Sequence, residues 1–132
     1  PRFHYLRNFH PELPYAQFID YMEQGRTMQV WREWNAEGKL NPVQKQFFAR
    51  RKPPEELYDT QSDPFELKNL ADDPAHAETL KEMRKACDEW IEQCGDKAAV
   101  PVEQLVAQGV IQPRDAGYEK RRKKWDEKHP TP

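Results

Sequence analysis

The chain has 132 residues, and its 21 Lys and Arg stand against 23 Asp and Glu, for a formal charge of -2. Only 36% of the residues are hydrophobic, but 4 Trp, 5 Tyr and 6 Phe supply apolar surface that disordered chains lack. We therefore expect one folded piece with a thin core. No run approaches the roughly 20 apolar residues of a membrane span, and the near-neutral charge disfavours a dedicated nucleic-acid binder.

The first half of the chain predicts one strand followed by three short helices. Residues 3–9 alternate in a way typical of a strand. Apolar residues at helical spacing then run from Tyr15 to an interruption at Gly25, and a second helix follows that ends before Gly38. The third helix is predicted to begin at Asn41, because Asn41 and Gln44 form a capping box and Pro42 suits the first helical position.

The second half predicts a strand, a turn and a long helix. Residues 55–59 form the strand candidate, and Ser62-Asp63-Pro64 favours a tight reversal of the chain. The clearest helix begins after Asp73 and ends at Gly95. Its apolar stripe consists of Leu80, Met83, Cys87, Trp90, Ile91 and Cys94.

The two cysteines lie seven positions apart on this helix. At a rise of about 1.5 Å per residue they are about 10 Å apart, too far for a disulfide. Since both belong to the apolar stripe, we expect Cys87 and Cys94 to be buried, unreactive thiols.

The composition becomes basic toward the C-terminus. A further helix is predicted at 102–107, and residues 119–132 contain six Lys or Arg against three Asp or Glu. The run Lys120–Lys124 beside Trp125 has two interpretations. In one, it attracts acidic polysaccharides or nucleic acid. In the other, it is a solvated tail.

Residues 56–71 read ELYDTQSDPFELKNLA. This segment resembles the C-terminal signature of the sulfatase family: a Leu-Tyr-Asp strand, an Asp-Pro turn, then Glu and Asn-Leu. Residues 5–9 resemble the preceding strand of that family, and the helix that ends at Gly95 resembles its terminal helix. With residues 10–14 included, the chain looks most like the bacterial branch of heparan N-sulfatases, or sulfamidases.

The resemblance covers residues 2–96 and implies an α+β fold. Residues 1–96 would be the C-terminal subdomain of a sulfatase, a small antiparallel sheet with helices packed against it, and residues 97–132 an extended or partly helical basic tail. The family sheet has about four strands and only two are evident here, so the subdomain is expected to be incomplete alone. Together with a start at Pro1 that has no initiator Met, this indicates part of a longer protein. The remaining apolar surface of the subdomain would pack against the N-terminal catalytic domain of the same parent chain.

The resemblance further implies that the parent enzyme hydrolyses sulfate esters or sulfamates of a sulfated sugar. Family members use a formylglycine, formed in a Cys/Ser-x-Pro-x-Arg motif, and one calcium ion. Neither the motif nor the calcium ligands match residues here, so we assign no catalytic residue, metal ligand or cofactor to this chain and expect it to be inactive alone. Export to the periplasm or the exterior is implied by the family only.

A sulfated sugar is an anion, so its pocket needs positive or hydrogen-bonding side chains. His4, Arg7, Asn8 and His10 are of this type and lie on or just after the first strand, which makes them the candidate substrate-binding residues, with His10 favoured. The alternative is that they are polar residues of an edge strand and a local turn. The four histidines, of which His129 is the last, lack partners at metal-ligand spacing.

Other polar and aromatic residues have structural interpretations. Asp59, Asp63 and Asn69 are expected to support the turn through backbone hydrogen bonds. Trp31, Trp34 and Trp90 fit core or domain-interface anchors better than sugar platforms. The alternative function for the whole chain is a non-enzymatic binding module for an acidic polysaccharide or a partner protein.

Overall fold

The computed structural model describes residues 2–128, and its fold is α+β, as predicted. Pro1 and residues 129–132, which include His129 and the end of the basic tail, lie outside the described residues. In chain order the elements are β1 (Phe3–Arg7), α1 (Asp20–Gln24), α2 (Arg26–Ala36), α3 (Pro42–Gln46), β2 (Glu55–Asp59), a 3-10 turn (Pro74–His76), α4 (Ala77–Cys94), α5 (Val102–Ala107) and α6 (Ala116–Lys128).

The described residues divide into two compact units. The sheet unit comprises residues 2–11 and 53–100, and the helical unit comprises residues 12–52 and 101–128. The boundary between a subdomain at 1–96 and a tail at 97–132 stays a prediction.

Strands β1 and β2 pair antiparallel, with Phe3 opposite Asp59 and Arg7 opposite Glu55. The predicted first strand is too long, because β1 ends at Arg7. The amide of Asn8 still donates to the carbonyl of Pro54 at 2.9 Å. Pairing stops there because two consecutive prolines precede β2 and supply no backbone N–H.

Three leucines form the core of the sheet unit. Leu57 of β2 is fully buried, and it packs with Leu70 and Leu80. Partly buried side chains complete this cluster: Phe3, Tyr5, Ala71 and Met83. The expected thin core is therefore confirmed.

Helix α4 packs over this core only through its first half. Leu80 is buried and Cys87 half-buried, whereas Trp90 is 58% exposed and Cys94 is exposed. The prediction of a buried Cys94 is wrong, because the apolar stripe continues past the end of the small sheet beneath it. Both thiols are free, and Gly95 ends the helix in the left-handed conformation, with φ of +65°.

Asn69 takes the place of a third strand at the free edge of β2. Its side-chain oxygen accepts the amide of Leu57 at 2.9 Å, and its side-chain nitrogen donates to the carbonyl of Glu55 at 3.1 Å. The next amide, that of Leu70, donates to the carbonyl of Leu57 at 2.8 Å. The backbone of β2 is thereby satisfied on both sides where it is most buried.

The helical unit begins with irregular chain rather than the predicted helix. Helix α1 starts at Asp20, because Tyr15 instead accepts the amide of Gln17 at 2.8 Å in a tight turn. The capping box of α3 is confirmed: Asn41 accepts the Gln44 amide at 2.9 Å, and the Gln44 side chain accepts the Asn41 amide at 3.0 Å.

Helix α6 packs on the rest of the helical unit through aromatic rings. The rings of Tyr118 and Trp125 each lie 5.6 Å from the ring of Phe18, which is buried. The guanidinium of Arg32 lies 4.9 Å from the Trp125 ring, and Arg121 pairs with Asp20 at 2.8 Å. Among residues 2–128, no helix combines the length and apolar character needed to cross a membrane.

Candidate functional site

Arg7 lies on the face of the sheet that α4 covers, and its charge is neutralised there. Its guanidinium pairs with the Asp88 carboxylate, donates to the Tyr5 hydroxyl at 3.2 Å and reaches the Arg84 carbonyl at 3.4 Å. The side chain is 20% exposed. Arg7 therefore ties β1 to α4, and a carboxylate already occupies the position that a sulfate would take.

His4 and Asn8 lie on the opposite face of β1. The Nδ1 atom of His4 is 2.7 Å from the Glu66 carboxylate, and this histidine is half-exposed. Asn8 donates to the carbonyl of Pro53 and to the Glu56 carboxylate, both at 2.7 Å. Glu56 is buried and also accepts the Tyr58 hydroxyl at 2.5 Å, so Asn8 helps to satisfy a buried acid.

His10 follows the end of β1 by three positions and is exposed. The four candidate residues therefore do not converge on one pocket: Arg7 faces α4, His4 and Asn8 share the other face, and His10 lies beyond the strand. Their role in substrate binding stays a prediction.

A polar network between the sheet and α4 has no counterpart in the sequence predictions. The Arg84 guanidinium binds both oxygens of Glu55, at 2.8 and 2.6 Å, and the Tyr5 hydroxyl donates to Glu55 at 2.5 Å. The paired Arg84 lowers the pKa of the Glu55 carboxyl to about 2, while burial and this carboxylate raise the pKa of the Tyr5 hydroxyl. Nothing in the local sequence joins positions 5, 55 and 84, because only the fold makes them neighbours.

The acidic residues of the signature have structural roles, as predicted. Asp59 is paired through both oxygens with Arg2, at 3.1 and 2.7 Å, which holds the pKa of its carboxyl well below the usual range. Asp63 accepts the Lys68 amide at 2.8 Å. Asp59 also accepts the Gln61 amide at 3.2 Å, so each carboxylate binds a backbone amide of the turn.

Glu66 closes the same turn in an unusual backbone conformation. With φ of +54°, it is the one non-glycine residue among the described ones in the left-handed region. This conformation costs a residue with a Cβ about 1 kcal/mol, and the contact with His4 accompanies it. His4 and Glu66 form a polar pair at the exposed end of the sheet unit.

No group of three His, Cys, Asp or Glu within residues 2–128 is arranged to hold a metal ion. Calcium and formylglycine stay predictions about a catalytic domain.

The comparison with known proteins relates this chain to one curated enzyme. An ulvan-active sulfatase from Formosa agariphila is 50% identical over 105 residues, which is 80% of this chain and 18% of that protein. This chain is related to part of a sulfatase. No family model matches it, and no solved structure does.

The sulfatase-related region extends further than the motifs indicated. The matched 105 residues exceed the length of 2–96, so the similarity continues into the segment that follows α4. The chain spans less than a fifth of the relative's length, which fits the expected C-terminal subdomain of a larger enzyme. The relative is active on ulvan and gives no support to the heparan N-sulfatase branch.

Proposed function

We propose that this chain is the C-terminal part of a sulfatase that removes sulfate from a sulfated polysaccharide, with ulvan as the first substrate to test. The observation that carries the proposal is the 50% identity with an ulvan-active sulfatase over 80% of the chain. At this identity the fold and the broad chemistry of the parent protein are expected to be shared. Substrate preference depends on fewer residues and needs its own measurement.

Within this proposal the described residues shape one side of the substrate pocket and perform no chemical step. A formylglycine and a calcium ion held by the catalytic domain would supply the nucleophile and bind the sulfate oxygens. His10 is the side chain best suited to contact the sugar, because it is exposed at the end of β1. His4 is half-exposed nearby in sequence, but the Glu66 carboxylate beside it disfavours an anion.

Arg7 and Asn8 act in this proposal as positioning residues. Arg7 fixes β1 against α4, and Asn8 binds the buried Glu56 and the carbonyl of Pro53. Both contacts hold the strand end from which His10 emerges. Substitution of Arg7 or Asn8 would therefore displace His10 and would not itself remove a contact with the sugar.

The test uses the complete reading frame that contains this sequence, because the chemistry requires the catalytic domain. The reading frame should encode a Cys/Ser-x-Pro-x-Arg motif upstream, and the purified protein should release sulfate from ulvan. Substitution of the formylglycine precursor by Ala should abolish release. A reading frame without this motif would contradict the enzyme proposal and favour the binding module.

The same protein distinguishes ester from sulfamate hydrolysis. Sulfate release from ulvan but not from N-sulfated heparan would support the ester-hydrolase proposal. The reverse result would favour the sulfamidase-like branch that residues 5–14 and 56–71 resemble.

His10→Ala tests the proposed contact with the sugar. Loss of one charge-assisted hydrogen bond is expected to raise KM for ulvan about tenfold with little change in kcat. His76→Gln is the control and should leave KM unchanged, because His76 packs on Phe3 at the start of β1 and takes no part in the proposed contact with the sugar. Equal KM values for His10→Ala and the unmodified enzyme would remove His10 from the pocket.

A further inference from the structure

We propose that the outer face of α6 is a binding surface for sulfated polysaccharide, formed by the ammonium groups of Lys120, Lys123 and Lys124. The choice of a sulfated polymer rests on the proposed function. The surface itself rests on how α6 packs and on which of its charges have partners.

The inner face of α6 is held in place, so its outer face is a built surface rather than a loose tail. Tyr118 and Trp125 pack on the buried Phe18 at 5.6 Å, and Arg32 lies over the Trp125 ring at 4.9 Å. Arg32 is itself anchored by two hydrogen bonds to Glu23, at 2.8 and 2.6 Å. Aromatic and cation–π contacts of this kind stabilise a helix that has few aliphatic residues.

Lys120, Lys123 and Lys124 occupy the opposite side of the helix. Residues at spacings of three and four share a helix face, and these three lysines are exposed. At about 1.5 Å per residue they form a row of about 6 Å. Glu127 also belongs to this face, which leaves it with a net positive charge. Lys128 instead lines a cavity with Trp125, Glu23 and Arg32 on the inner side of α6.

The lysines of this row have no acidic partner among the described residues. Within residues 2–128, no ion pair of 4.0 Å or less involves Lys120, Lys123 or Lys124, whereas Lys39, Lys81 and Lys85 each pair with a glutamate. The two arginines of α6 are already paired, Arg121 with Asp20 and Arg122 with Asp126. The unpaired ammonium groups of α6 are therefore concentrated on the face that points away from Phe18.

A sulfated polysaccharide fits this face better than a nucleic acid does. Lysines in a row are flexible point charges that suit sulfates spread along a polymer and require no fixed fork geometry. The chain as a whole carries a charge of -2, which disfavours a dedicated nucleic-acid binder. The related sulfatase is active on ulvan, which makes a polyanion the expected partner of the parent protein.

The test measures binding of ulvan to the complete protein under conditions without turnover, with the formylglycine precursor substituted by Ala. Replacing Lys120, Lys123 and Lys124 together by Gln should weaken ulvan binding about tenfold at low salt, since each exposed cation contributes modestly to attraction by an anionic surface. Replacing the same lysines by Arg should preserve binding. The matched control replaces Lys45, Lys81 and Lys85 by Gln, which removes the same charge from other helices and should leave affinity within about twofold.

Three results would overturn the proposal. They are unchanged ulvan affinity in the Gln variant, an affinity of the unmodified protein that does not fall with added salt, and tighter binding of single-stranded RNA than of ulvan. The salt dependence and the comparison with RNA are measured on the unmodified protein, so these two results do not depend on folding of the Gln variant. Failure of the proposed function gives a different result: no sulfate release from ulvan by the unsubstituted enzyme, whatever the affinity.

Discussion

The sheet unit and the helical unit are stabilised by different kinds of contact. In the sheet unit, Leu57, Leu70 and Leu80 form an aliphatic core whose surrounding backbone is satisfied by specific hydrogen bonds. In the helical unit, aromatic rings pack against one another beside the buried Met28 and Leu40. The rings form two groups: Trp31 with Phe47 and Phe48, at 4.7 and 5.3 Å, and Phe18 with Tyr118 and Trp125, both at 5.6 Å.

The two units carry different kinds of information. The sheet unit carries the residues that indicate the relationship to a sulfatase, and the helical unit carries the lysines that are proposed to bind a polymer. The signature residues Asp59, Asp63 and Asn69 all lie in the sheet unit and bind their own backbone or a neighbouring arginine. Their spacing is therefore dictated by the turn, and it reports a shared fold rather than a shared substrate. The helical unit lacks this signature and carries the unpaired lysines, so differences in polymer recognition are expected there.

The largest expected effect is the removal of the aliphatic core of the sheet unit. Leu57→Ala should lower the free energy of opening of this unit by about 4 kcal/mol, because Leu57 is fully buried and the small unit cannot close the cavity. Hydrogen exchange of peptides from β2 and α4 in the intact protein measures this loss. Leu67→Ala, at a position 43% exposed, should change exchange little. A loss under 1 kcal/mol for Leu57→Ala would contradict the assigned core.

The corresponding substitution in the helical unit is Phe18→Ala, with an expected cost of about 3 kcal/mol. Phe18 is 7% exposed and contacts both aromatic rings of α6, so exchange should accelerate first in α6. Phe65→Ala is the control, because that ring is 81% exposed. If α6 retains its protection in Phe18→Ala, these rings do not hold the helix.

A smaller effect is expected where a side chain completes the sheet. Asn69→Ala removes the acceptor for two amides, those of Leu57 and Ala71, and should cost about 2 kcal/mol, since the Leu57 amide is left without a partner. Asn35→Ala makes the same chemical change on an exposed turn of α2 and should be neutral or slightly stabilising. Similar exchange rates at the Leu57 amide in both variants would exclude the bridging role of Asn69.

Local patterns predicted the elements that depend on neighbouring residues. The capping box at Asn41, the strand at 55–59, the helix at 102–107 and the helix end at Gly95 follow from rules that act over a few positions. The helix predicted from Tyr15 ends at Gly25 as expected but begins only at Asp20, because the preceding apolar residues include a buried Phe18 outside any helix. Tertiary packing overrode the local pattern there.

The sequence could not predict the partners of the candidate site residues, because these partners are distant along the chain. Arg7 and His4 were chosen by residue type, but their carboxylate partners, Asp88 and Glu66, are 81 and 62 positions away. A sequence pattern cannot show that a positive charge is already neutralised by a distant residue. The basic run of α6 was evident from composition, yet the division between paired arginines and unpaired lysines required the packing of the inner face.

The smallest expected effect concerns the dependence of the sheet unit on pH. Arg84 and Tyr5 lower the pKa of Glu55 from 4.5 to about 2 in the folded protein, so the ionised form contributes stability above pH 4.5 that is lost as the pH falls toward 2. Because Arg84 is 43% exposed, this contribution is expected to be about 1–2 kcal/mol. Glu55→Gln should therefore destabilise the sheet unit near neutral pH and match the unmodified protein near pH 2.

Hydrogen exchange of β2 peptides, corrected for the intrinsic pH dependence of exchange, measures the difference between the two proteins. Glu92→Gln removes an exposed carboxylate from α4 and should change opening little at any pH. A Glu55→Gln difference that stays constant from neutral pH to pH 2 would assign its effect to packing rather than to the ion pair with Arg84. A difference that shrinks as the pH falls below 4.5 would identify Glu55 as the acid-sensitive link between β2 and α4.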